Sequence, residues 1–336
     1  MKKIVLSVLS ILLVLVASCS KKPVREVLVV YTALEDDYYP TYLASFKKQH
    51  PEIDVQIVRN STGIITSKLI AERDKPAADV IWGVAATSLM FMNKYNMLQP
   101  YKPKGFKRIN KLFADHSPEP LWVGIDIYMS AIVVNEIELK KGNFPEPTSY
   151  QDLLNPIYKG KIVLPNPRSS GTGYLIISGI LQSMGEEKGW RFLDSLHLNV
   201  ARYVHSGTKP AKLVGTGEYL IGISPGFTGI QLGKRGQPVK TIFPKEGSGW
   251  DIEGNALIKK DSIKPAAKIF LDWAISEETL RSIAKNCAIV SSDMNTTVVE
   301  GFPEKPLDQL SPNDFSWSAQ NRTRILAEWA RRYENK

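Results

Sequence analysis

Cysteine is nearly missing from the chain: two in 336 residues, Cys19 and Cys287. Two thiols cannot build the disulfide framework of a small secreted scaffold. Histidine is almost as scarce, and His50, His116, His197 and His205 show no H-x-x-x-H or comparable metal-ligand spacing. Basic residues outnumber acidic ones, 43 to 34, yet never run beyond a pair such as Arg331-Arg332. That diffuse excess suits an anionic small ligand or membrane surface better than a nucleic-acid groove. There is no G-x-x-x-x-G-K-[ST] loop and no G-x-G-x-x-G turn, so no nucleotide cofactor is expected. No apolar stretch reaches the roughly 20 residues of a membrane-spanning helix.

What is present begins with an export signal. Met1-Lys2-Lys3 is a positive start and Ile4 to Val16 an apolar stretch, followed by Val16-Ala17-Ser18-Cys19. The small residues before Cys19 resemble a bacterial lipobox, in which cleavage precedes the cysteine and its thiol is acylated. Residues 1–18 are thus expected to be a signal peptide and 19–25 a lipid-anchored tether, holding an exported protein at a membrane surface. Without Lys2 and Lys3 the formal charge falls from +9 to +7. Cys287 then becomes the one thiol of the folded body, a small buried hydrophobe.

The body alternates strands with helices. Val27–Tyr31, Val55–Val58 and Asp79–Trp82 read as strands, separated by helical stretches at Tyr38–His50, Ser67–Arg73 and Ser88–Tyr95. The pattern restarts with strands at Ile125–Val134, Lys161–Leu164, Glu218–Ile223, Thr241–Phe243 and Ala256–Ile258. Helices are expected at Tyr174–Ser183, Lys264–Ala274, Glu277–Ala284 and Ala319–Tyr333. Such alternation predicts an α/β architecture of two doubly wound lobes with ligands bound in the cleft between them. The expected N-terminal lobe is 26–126 with 249–336, and the second lobe 127–248. Two crossings, near Asp126 and Asp251, would act as hinges.

Loops after strands carry the chemistry. Asn60-Ser61-Thr62-Gly63, Arg168-Ser169-Ser170-Gly171-Thr172-Gly173 and His205-Ser206-Gly207-Thr208 each place hydroxyls and glycine before a helix. Free N–H groups and the helix dipole make such starts anion sites, although any one of them also serves as a plain cap. Among the carboxylates, Asp36 and Asp37 suit a solvent-facing helix start. Glu35 lies nearest the end of the first strand, placed either for a ligand's ammonium or hydroxyls or for an ion pair across the lobes. Gly222-Ile223-Ser224-Pro225-Gly226 matches the G-x-S-x-G nucleophile elbow. No histidine follows His205, so the triad of that fold stays incomplete and a binder is expected rather than an enzyme.

Longer stretches carry a resemblance. Tyr31-Thr-Ala-Leu-Glu35, Ser61-Thr-Gly63, Trp122-Val-Gly-Ile-Asp126 and Tyr158-Lys-Gly-Lys-Ile-Val-Leu-Pro-Asn-Pro167 occur in order. Ser169-Ser-Gly-Thr-Gly-Tyr174, His205-Ser-Gly-Thr-Lys-Pro210, Phe243-Pro-Lys-Glu-Gly247, Gly249-Trp-Asp251 and Arg324-Ile-Leu-Ala-Glu-Trp329 follow. The chain resembles the solute-binding proteins of ABC importers, in the 2-aminoethylphosphonate-binding branch. The resemblance implies a type 2 periplasmic-binding-protein fold that closes on its ligand and delivers it to a membrane permease. It also implies a monomer without metal or cofactor.

Combined with the loops, it implies a phosphoryl group held by Ser61, Thr62, Gly63, Ser169 and Ser170, with Gly171, Thr172, His205 and Ser206. His205 would donate as imidazolium. Thr32, Leu34, Glu35 and Trp82 would line the first lobe, and Asp126, Phe227 and Asp251 the remainder. The chain departs from the family at Gly222-Ile-Ser-Pro-Gly-Phe-Thr228, where Gly-Ile-Ser-Phe-Glu-Tyr-Arg is expected. Trp82 and Tyr128 stand where a smaller residue and a tryptophan are expected. A missing charged pair beside a zwitterion alters specificity, so a hexose phosphate stays open as an alternative. Distant relatives bind ferric iron through paired tyrosines, and Phe227-Thr228 stands near that position without them.

Overall fold

A computed structural model of the protein describes residues 25–292 and 299–335. The signal peptide and Cys19 expected from sequence lie outside the described residues, as does most of the tether.

The first sheet starts with parallel strands β1 (Glu26–Thr32), β2 (Ile53–Arg59) and β3 (Val80–Ala85), in the order β2-β1-β3. Every residue of β3 is buried, as a continuous apolar run covered on both faces should be. Helices α1 (Tyr39–Gln49), α2 (Thr62–Ala71) and α3 (Ala86–Asn93) follow these strands. A short β4 (Leu98–Gln99) precedes β5 (Val123–Asn135), whose thirteen residues are all buried.

Strand β5 is where one sheet becomes the next. Residues 123–129 pair antiparallel with β10 (Trp250–Ile258), and Ser130 to Val134 pair with β8 (Ile221–Pro225). Strands β6 (Ile162–Pro165) and β7 (Val200–Val204) extend the second sheet in the order β5-β8-β6-β7, while β9 (Val239–Ile242) pairs with the end of β5. The second lobe carries α4 (Glu136–Lys141), α5 (Gly171–Met184), α6 (Glu186–Asn199), α7 (Lys209–Gly215) and α8 (Gly226–Lys234). The chain returns through β10 to α9 (Pro265–Ala274), α10 (Glu277–Ile283), β11 (Ile289–Val290) and α11 (Phe315–Tyr333). The result is two doubly wound α/β lobes joined by crossing strands.

Three elements differ from the sequence expectation. Strand β10 starts at Trp250 rather than Ala256, because Asp251, Glu253 and Asn255 alternate with apolar residues along its pairing with β5. Helices α6 and α8, unmarked in the sequence reading, pack on the second sheet.

Each lobe has its own core. Leu28, Val30, Phe46, Trp82, Phe270 and Trp273 form the first, with Trp82 edge-on to Phe270 at 5.5 Å. Ile132, Ile162, Tyr174 and Leu193 anchor the second, which also receives Ile325 and Trp329 from α11. Asp314 caps α11 by accepting the Trp317 N–H at 2.9 Å. Lys94 beyond α3 meets the Gln320 carbonyl of the same helix, so α11 spans from one lobe to the other.

Candidate functional site

The ends of β1 and β3 face the starts of α5 and α8 across a narrow cavity of about 30 Å³, partly open to solvent. From the first lobe come Ala33 and Glu35 after β1, Ser61 and Thr62 at the start of α2, and Gly83 and Ala85 on β3. The second lobe supplies Ser170, Gly171 and Thr172 at the start of α5, Gly207, Pro225, and Phe227 on α8. The crossing strands close the floor with Tyr128 on β5 and Glu253 on β10.

The lobes meet closely. The Gly63 N–H, inside the first turn of α2, donates to the Ser169 carbonyl at 3.0 Å. Gly171 has no side chain because none fits: a Cβ there would lie 2.8 Å from Thr62 Oγ1 and 3.0 Å from the Tyr128 hydroxyl. Tyr38 and Phe227 touch edge-on across the mouth at 5.7 Å. Asp37 pairs with Lys212 and Arg235, both at 3.7 Å.

The two walls differ in charge. Glu35 binds Arg59 at 2.6 Å and accepts from the Thr208 hydroxyl at 3.3 Å. Burial still raises its carboxyl above the usual range, against the pull of Arg59 and Lys212. Glu253 faces Asp126 directly in the β5–β10 register. Burial pushes Glu253 well up and Asp126 adds repulsion, which favours a proton on this pair. Burial, with Asp126 and Glu253 nearby, also pushes the Cys287 thiol up. The opposite wall has no ionised side chain. It offers hydroxyls and the first N–H groups of α5 and α8, which lack intrahelical acceptors. The Tyr128 hydroxyl is buried at this wall without a hydrogen-bond partner. Hydroxyl donors and helix N-termini together favour an anion.

Glu35, Ser61, Thr62, Ser170, Gly171, Thr172 and Phe227 therefore come together at the cavity. The other expected residues stand elsewhere. Trp82 points into the first core, because β3 alternates and turns Gly83, not its neighbour, to the cavity. Thr32 is buried with its Oγ1 accepting the Leu34 N–H at 3.1 Å, and the Leu34 side chain packs on Gly83. Ser169 gives its hydroxyl to the His205 carbonyl at 2.7 Å. His205 is exposed, its Nε2 3.3 Å from Asn60 Oδ1, and Ser206 accepts the Lys209 N–H. Asp251 is buried behind the cavity, where it accepts the Thr87 hydroxyl at 2.5 Å and the Ile252 N–H at 2.8 Å. Asp126 sits one step behind Glu253.

Sequence reasoning missed Glu253 and Tyr128 as lining residues. The signal was available in the alternation of both crossing strands, which sends every second residue to one face. Ser224, centre of the G-x-S-x-G match, is fully buried and donates to the Gly207 carbonyl at 2.7 Å. Among the described residues, no group of three or more His, Cys, Asp or Glu side chains is placed to hold a metal ion. No described helix is long and apolar enough to cross a membrane.

Residues 75–319 match the family of bacterial extracellular solute-binding proteins, and the chain belongs to that family. A Haemophilus influenzae protein is 31% identical over 256 residues, spanning 75% of this chain and 73% of its own length. A probable ABC transporter periplasmic-binding protein of Sinorhizobium fredii is 25% identical over 243 residues, 69% of this chain and 65% of its own. The periplasmic binding protein AfuA of Actinobacillus pleuropneumoniae, solved with exogenous fructose 6-phosphate bound, superposes with a TM-score of 0.83. It is 25% identical, with 91% of this chain and 98% of AfuA covered. The fold is that of the type 2 periplasmic binding proteins.

Proposed function

We propose that this protein captures a phosphorylated polyol, a hexose phosphate in the first instance, outside the cytoplasm and delivers it to an ABC permease. One observation carries the choice of ligand: Glu35, the carboxylate of the first wall, is already paired with Arg59 at 2.6 Å. Burial and the facing Asp126 push the Glu253 carboxyl well up, which also lessens the negative charge there. A ligand ammonium would find little net negative charge there, whereas sugar hydroxyls would find donors and acceptors. Phe227 and Tyr128 add aromatic surface for a sugar ring. The phosphoryl group would lie against Ser170, Gly171 and Thr172 with Ser61 and Thr62. AfuA, solved with fructose 6-phosphate bound, supports the ligand class, and the Sinorhizobium protein supports the transport role.

A second reading is 2-aminoethylphosphonate, favoured by the sequence resemblance and by the two carboxyl groups opposite the hydroxyl wall. Calorimetry with fructose 6-phosphate, 2-aminoethylphosphonate and inorganic phosphate separates the two. Fructose 6-phosphate should bind at least about tenfold tighter than the aminophosphonate; the reverse order would select the second reading.

The same proposal has the protein acting as a monomeric binder, not an enzyme, held at the membrane by an acylated Cys19. Lobes of 26–126 with 249–336 and of 127–248 would rotate about the crossings. Small-angle scattering should show a smaller radius of gyration on saturation with ligand, and an unchanged one would count against closure.

A further inference from the structure

A second concave surface lies apart from the cavity, where α2 and α3 face α11. It offers about 410 Å³, partly open to solvent, and an apolar patch of Ile70, Phe91, Leu326, Ala327 and Ala330 lies among polar lining residues that include Thr66, Ser67 and Thr323. Arg322 of α11 lines it and is only 3% exposed. Its guanidinium stacks 4.4 Å from the centre of the Tyr174 ring, and its Nη1 is fully buried with no hydrogen-bond partner. Stacking on an aromatic face supplies part of what an ion loses on leaving water, but not its hydrogen bonds.

The charges around Arg322 are already committed. Asp251, the carboxylate whose field reaches it, is bound on both oxygens by Thr87 and the Ile252 N–H. Arg168, the other arginine of the groove, is paired with Glu334. Tyr174 points its hydroxyl at the Ser318 carbonyl. Among the described residues one buried positive charge therefore lacks a hydrogen-bonded partner on Nη1, and it borders a groove of mixed lining large enough for a small molecule.

We propose that this groove is a second ligand site, for a monoanion that joins a carboxylate to an apolar body. The carboxylate would accept from the unpaired Nη1 of the guanidinium, a charge-assisted hydrogen bond. The apolar body would lie over Ile70, Leu326 and Ala327. The groove has walls from both lobes, since α2 belongs to the first and the Arg168 loop to the second.

Benzoate is the probe, with benzamide as its uncharged isostere, titrated by calorimetry and by backbone amide NMR into protein saturated with fructose 6-phosphate. Saturable binding is expected, shifting the amides of Ile70 and Ala327, with benzamide at least about tenfold weaker. Arg322→Met should lose the preference for benzoate. Ala327→Trp, on an exposed position, should fill the groove and block both compounds without disturbing the core. Equal binding of benzoate and benzamide would overturn the proposal, as would benzoate binding unchanged in Ala327→Trp or no saturation at millimolar benzoate. In each case Arg322 would be only a core stacking partner of Tyr174.

Discussion

The two walls of the cavity are built alike and behave differently. Each belongs to a doubly wound lobe and presents strand ends and helix starts. The first-lobe wall and its floor hold carboxyl groups: Glu35 paired with Arg59, and Glu253 pushed well up by burial. The second-lobe wall holds hydroxyls and helix-start N–H groups with no ionised side chain among its lining residues. A single topology thus yields one wall suited to hydroxyls and another suited to an anion. Ligand identity depends on which side chains sit at the strand ends, not on how the strands are ordered.

The largest test of this division is Gly171→Val. Its Cβ would press on Thr62 and Tyr128 and hold the walls apart, so affinity for every phosphoryl ligand should fall by about a hundredfold or more. Unaltered affinity by calorimetry would place the ligand elsewhere. Next comes Thr172→Ala. A hydrogen bond to a charged group contributes about 1.5–3 kcal/mol, so affinity should drop by one to two decades for inorganic phosphate and hexose phosphate alike. A loss confined to one of them would break the assignment of this wall to the shared anion.

Asp251→Asn probes the support behind the first wall. Burial raises the Asp251 carboxyl to about 6, so the folded protein holds this proton more tightly than the unfolded chain. Its contribution to stability is full below the unfolded value near 4 and is lost as pH rises through about 6, on the order of 3 kcal/mol. Urea midpoints should show wild type losing stability relative to Asp251→Asn across that window. A gap between the two that stays constant with pH would contradict the assignment. The smallest effect is expected from Glu35→Gln. Because Arg59 already neutralises Glu35, the change should weaken fructose 6-phosphate by less than about tenfold and leave inorganic phosphate untouched. A large loss for inorganic phosphate would mean that the walls do not divide the ligand as proposed.

Much of this was legible from the residues. Alternating apolar runs located β1, β3 and β6, and the Ser-Ser-Gly-Thr segment marked the start of α5 beside the cavity. The failures share a cause. Trp82 ends an apolar run, but a run buried on both faces does not reveal which residues face the ligand. Glu253 stands in a stretch that reads as polar loop, because the β10 residues that pair across the crossing alternate with carboxylates. His205 lies in the loop ahead of α7 as expected, but Thr208 holds the cap position and the His205 side chain is exposed.

Strand β5 carries a mechanical consequence. It passes from partner β10 to partner β8 between Met129 and Ser130 without leaving the extended state, and the Ser130 N–H is held by the Gly249 carbonyl at 2.8 Å. The joint between the lobes is therefore a stretch of hydrogen-bonded ladder, not a slack tether. Bending it means changing strand twist, which resists shear and sideways slip more than rotation about one axis. Closure as proposed would then be confined to a narrow arc, as with a door on a leaf spring, and hydroxyls contributed by separate lobes would return to the same register each time.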